Sequence, residues 1–107
     1  MCTVPNAEVG AALAHQLVGR QFAAAVAIVP GVRSVYRWRG AIHDRQELQL
    51  VVKTVRGRIA DVRRCIATQH PYEVAECMAL EVVDASPSYL EWLQVQTEPE
   101  HPAKKHP

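Results

Sequence analysis

The order of apolar and polar positions divides the chain into short segments of different period. After Pro5 and Asn6, the stretch AEVGAALAHQLVGRQ sets Val9, Leu13 and Leu17 at helical spacing, with Asn6 as N-cap and Glu8 in the first turn. FAAAVAIV (22–29) is apolar without polar alternation, the pattern of a strand covered on both faces. Pro30 cannot donate to a ladder, so Pro30-Gly31 predicts a bulge or kink. Beyond it the strand resumes, with Ser34, Tyr36 and Trp38 facing one way and Val35, Arg37 and Arg39 the other. Arg39-Gly40 reads as a hairpin tip and Ile42 to Val55 as the return strand.

RGRIADVRRCIATQ (56–69) is a second amphipathic helix: Ile59, Val62 and Ile66 form one stripe, Cys65 sits on its apolar side, and Arg58, Asp61 and Arg64 face water. Pro71 biases His70 away from helical geometry, so QHPYEVAE is a loop, leading into a last strand, CMALEVV (77–83). Ser86 and Pro87 open a terminal helix carrying Tyr89, Leu90, Trp92 and Leu93. TEPEHPAKKHP, residues 97–107, is polar and punctuated by proline, and is expected to be a disordered tail on a domain of residues 1–96. Two helices against an antiparallel sheet make an α+β fold, and the common arrangement with this order is the ferredoxin-like βαββαβ unit, helices on one face. Its first strand is cut here to Met1–Val4, and the intact remainder of the core favours a true start lying upstream.

Composition narrows the function classes. At 107 residues and 49% hydrophobic content the chain is one globular domain. No stretch reaches the roughly 18 apolar residues of a membrane helix, and no secretory leader stands at the start, so no membrane insertion and a cytoplasmic location are expected. A net charge of +1 does not suggest a nucleic-acid partner, but the charge is uneven. Residues 33–64 hold nine basic and three acidic side chains, whereas 73–100 hold seven acidic and none basic. These halves can lie against each other within one chain or across a subunit boundary. Cysteines at 2, 65 and 77 are odd in number and form no Cys-x-x-Cys pair, so neither a disulfide framework nor a structural zinc site is indicated. No glycine-rich phosphate loop, nucleophile elbow or Cys-His-Asp set is present, and no enzymatic activity is expected.

A hairpin that outruns its own core leaves Tyr36 and Trp38 on an open face, which predicts a partner surface. Three copies closed around an axis would cover the aromatics and pair exposed strand edges at the same time.

CTVP ahead of the first helix, then FAAAVAIVPGVRSVYRWRGAI, then KTV followed by HPYEVAE and YLEWL, resemble in order and spacing the CutA family of divalent-cation tolerance proteins. The resemblance covers residues 2 to about 95. It implies a ferredoxin-like subunit in a tight homotrimer, no defining enzymatic activity, and binding of copper or another divalent cation. It places metal ligands at Cys2, His70 and Glu76, a thiolate, an imidazole and a carboxylate suited to copper or zinc. Two positions depart from the family pattern: Gln69 stands where some members carry a ligand histidine, and Ala75 where proline is frequent. Each residue also has a plainer reading. Cys2 can be a small buried residue, His70 can fix its loop through the main chain, and Glu76 can pair with an arginine. His15, His43, His101 and His106 form no metal spacing. The resemblance leaves open a second function, a trimeric signalling or scaffold protein that binds a protein partner, or a small anion through Arg37, Arg39 or Lys53 at subunit clefts.

Overall fold

The computed structural model describes residues 1–99. Strand β1 (Cys2–Val4) leads into helix α1 (Ala7–Gly19), a long hairpin of β2 (Ala25–Trp38) and β3 (Ala41–Lys53), helix α2 (Ile59–Gln69) after a single 3-10 turn at 56–58, and helix α3 (Pro87–Gln96). The sheet is antiparallel in the order β1-β3-β2. Of the polar tail, residues 100–107, with His101 and His106, lie outside the described residues.

Local chemistry accounts for most boundaries. The Asn6 side chain accepts a hydrogen bond from the Val9 N–H at 2.9 Å, capping α1 as its sequence predicts. Strand β2 starts three residues later than expected. Gln21 takes a positive φ of 60°, and the N–H groups of Phe22 and Ala23 both donate to the Leu17 carbonyl, so these residues close α1 instead of entering the sheet. The register breaks between Val29 and Val32, with Gly31 at φ 76°, which is the bulge expected at Pro30-Gly31. Arg39 and Gly40, at φ 50° and 78°, form the two-residue turn that closes the hairpin between Trp38 and Ala41.

The core lies on one face of the sheet. Cys2, Val4 and Leu50 point from β1 and β3 toward Leu13 and Leu17 of α1 and Val62, Cys65 and Ile66 of α2, and all are buried. Gly10 lets α1 come close: a Cβ there would stand 3.2 Å from Val4 Cγ2. Thr97, which the sequence pattern assigns to the tail, is buried, its hydroxyl donating to the Leu93 carbonyl at 2.8 Å.

The predicted last strand, CMALEVV, does not form, and Cys77 therefore starts no strand. Met1 and Met78 exchange both main-chain hydrogen bonds, at 2.7 and 3.2 Å, and the pairing goes no further. Among the described residues no strand lies beside residues 79–83, and an apolar run without a neighbour to complete its hydrogen bonds does not become a strand. Leu80, Val82 and Val83 are left exposed, Val83 at 96%.

Candidate functional site

The three predicted ligands gather around β1 without forming a shell. His70 caps the C-terminus of α2, its N–H donating to the Ile66 carbonyl at 2.9 Å, and Pro71 ends the helix there. Its side chain turns inward and is buried. Nδ1 accepts from the Tyr72 N–H at 3.1 Å, which leaves the proton on Nε2, and Nε2–H donates to the Thr3 carbonyl at 2.7 Å. Both ring nitrogens are engaged with the main chain, so the plainer reading of His70 describes its present role.

Cys2, on the neighbouring residue of β1, is fully buried on the helix side of the sheet. Its thiol is pushed up to about 11, first by burial and then by Cys77, with Glu76 and Glu47 adding to it. As it stands it is a protonated thiol, not a thiolate. Glu76 lines a cavity of about 500 Å³ on the opposite face of the sheet, the face without helices. Its Oε2 is buried and has no hydrogen-bond partner.

The cavity adds residues that spacing did not single out. Tyr72 donates its hydroxyl to Glu47 Oε2 at 2.6 Å and leans on the His70 ring at 4.7 Å between centroids. Burial, followed by the Glu47 carboxylate, pushes the Tyr72 phenol up to about 12. Glu47 is itself buried, the one charge on β3 drawn under the loop after α2. A continuous line of contacts therefore runs from Thr3 through His70 and Tyr72 to Glu47. Tyr36 stacks on His43 at 5.4 Å along the outer wall. The signals for Glu47 and Tyr72 were a lone carboxylate beside the apolar run LQLVV and a tyrosine inside HPYE; only the strand register puts them together.

The CutA1 divalent ion tolerance model matches residues 1–96. The chain belongs to the CutA1 family. The divalent-cation tolerance protein CutA of Thermus thermophilus is 40% identical over 97 residues, 91% of this chain and 94% of that protein. The chloroplastic CutA of Arabidopsis thaliana is also 40% identical over 89% of this chain, but the chain spans about half (52%) of that relative's length. Among solved structures, the Thermus thermophilus CutA1 matches with a TM-score of 0.88, covering 91% of this chain and 94% of that one. CutA from Xylella fastidiosa reaches the same TM-score at 32% identity, covering 91% and 93%. An Archaeoglobus fulgidus structure of this family is titled periplasmic, so compartment varies among relatives. Among the described residues no helix is long and apolar enough to cross a membrane.

The donor set of this CutA1 chain fits a divalent cation in part. Glu76 offers an open carboxylate oxygen, but His70 presents no free ring lone pair and Cys2 holds its proton. Among the described residues no three of His, Cys, Asp and Glu stand together as a cation shell. The anion reading has less to use. Arg37, Arg39 and Lys53 do not line the cavity, which carries Glu47, Glu73 and Glu76 against Arg45. Arg39 is already paired with Glu73 at 2.6 Å.

Proposed function

We propose that this chain is a non-enzymatic cytoplasmic protein of divalent-cation tolerance that works as a homotrimer and binds copper, or another divalent ion, through Cys2, His70 and Glu76. The observation that carries the reading is the buried, unpartnered Oε2 of Glu76. A carboxylate oxygen withdrawn from water without a donor is destabilising, and a cation relieves it. Sulfur from Cys2 and nitrogen from His70 are the softer donors of the same set, and they favour copper over magnesium or calcium. To serve together, Cys2 must turn from the helix side of the sheet toward the face of Glu76, His70 gives up one of its two main-chain hydrogen bonds and Cys2 its proton, so uptake should release protons and strengthen with rising pH.

Support for self-association comes from the shape and the surface. The radius of gyration is 15.5 Å and the extents are 56 × 29 × 21 Å, against about 13 Å for a compact chain of about 100 residues. The excess is the hairpin arm, whose Val35 and Ile42 are 64% and 67% exposed. Leu80, Val82 and Val83 add a second uncovered apolar run, and a ring of copies covers both.

Equilibrium dialysis of the purified chain against copper(II), and separately zinc, tests the metal reading. Uptake should weaken about tenfold or more in Glu76→Gln and in His70→Ala. Equal uptake by the unmutated chain and both variants would overturn it.

A further inference from the structure

The hydrogen bonds between Met1 and Met78 fix more than the chain end. Because these two residues exchange both main-chain bonds, they form a hydrogen-bonded antiparallel pair. Carried one residue inward, that register sets Cys2 opposite Cys77 in the place of a non-hydrogen-bonded pair, for which Cα atoms stand roughly 4.5 Å apart and side chains on one face approach most closely. That spacing falls within the range of about 4.4 to 6.8 Å that a disulfide spans. Side-chain placement agrees. Cys2 belongs to the buried core and Cys77 packs against that same cluster, so the two point to the same side. Cys65 also lies in the core, but on α2 and opposite neither of them.

We propose that Cys2 and Cys77 are a redox pair that closes to a disulfide across the first residues of the sheet, with a low-molecular-weight disulfide as oxidant. Cys77 is the more accessible of the two and reacts first. Its thiolate attacks one sulfur of the external disulfide; a mixed disulfide forms on Cys77 and one thiolate leaves, taking up the proton that Cys77 gave. Cys2 then loses its proton and attacks the Cys77 sulfur. The Cys2–Cys77 bond forms, the bond from Cys77 to the external group breaks, and a second thiol departs with that proton. Two protein thiols are oxidised and one external disulfide is reduced to two thiols.

The bond would tether the segment after the HPYE loop, held to β1 in the main chain only through Met78, to the central core. It would also withdraw the Cys2 sulfur from any cation, a consequence that rests on the metal reading above; the bond itself is read without metal.

Purified, fully reduced, metal-free chain is incubated with oxidised glutathione, and intact mass and peptide maps are followed over time. The expected product has lost two hydrogens, carries no glutathione, and yields a linked peptide containing Cys2 and Cys77; its Tm lies at least about 5 °C above the reduced form. Cys65→Ser should behave the same. Cys77→Ser should form no internal bond. Stable glutathione adducts in place of the internal bond, a linkage through Cys65, or no reaction of the folded chain would overturn the proposal.

Discussion

The hairpin of β2 and β3 lives in two environments. At its base, Leu50 is wholly buried in the core beneath α1, where a Cβ on Gly10 would meet it at 3.6 Å. At its outer end Val35 and Ile42 sit on the same strands, with the same ladder of main-chain hydrogen bonds, and remain mostly in water. The arm is held by cross-strand pairs, such as the stacked Tyr36 and His43 and the ion pair of Arg33 with Asp44 at 2.6 Å. A stacked cross-strand pair such as Tyr36 with His43 contributes roughly 0.2 to 1 kcal/mol, against about 1.5 to 3 for a buried aliphatic side chain, and solvent screens the ion pair. Strand pairing alone thus builds the arm's shape, whereas burial supplies the stability of its base. The apolar side chains on the arm gain little until another surface meets them.

The sharpest way to break this contrast is at the base. Leu50→Ala should lower unfolding free energy by about 2 to 5 kcal/mol in urea titration, since neighbours on three elements cannot collapse into the gap; a loss below about 1 kcal/mol would mean that the two ends are not so different. At the arm, Val35→Asp combined with Ile42→Asp should leave the helical circular-dichroism signal intact. Sedimentation should then find single subunits at micromolar concentration where the unmutated chain assembles. Folded single subunits for the unmutated chain would remove the contrast's functional meaning. The smallest effect belongs to the exposed pair: Asp44→Asn should leave the urea midpoint within error, because solvent screens both charges.

How much of this was legible beforehand follows from how local each feature is. The Asn6 cap, the bulge at Pro30-Gly31, the turn at Arg39-Gly40 and the apolar stripe of α2 depend on backbone chemistry within a few residues, and a sequence carries that directly. The last strand failed for the opposite reason. Its apolar run is real, but a strand is a property of two segments, and among the described residues none pairs with it beyond Met78. The site divides the same way. The HPYE motif and Cys2 are recognisable from the family pattern, yet the pattern says nothing of where a histidine's lone pairs go. The Tyr72 N–H bond to Nδ1 is local, but that Nε2 reaches the Thr3 carbonyl, and that Tyr72 closes on Glu47, depends on contacts spanning 25 or more positions of sequence.

The bulge at Pro30-Gly31 has a consequence for handedness of the surface. From Val29 to Val32 strand β2 advances three residues while its partner advances two, from Gln49 to Glu47. Side chains at odd positions share the Gln49 and Glu47 side before the interruption, and those at even positions share it afterwards. Tyr36 and Trp38 owe their place over the acidic cavity to this change of parity. Drawing both Pro30 and Gly31 into a regular ladder would shift the register by one and turn the distal ribbon inside out, with Val35 and Arg37 toward the cavity, whereas excising one of them would leave the aromatics in place.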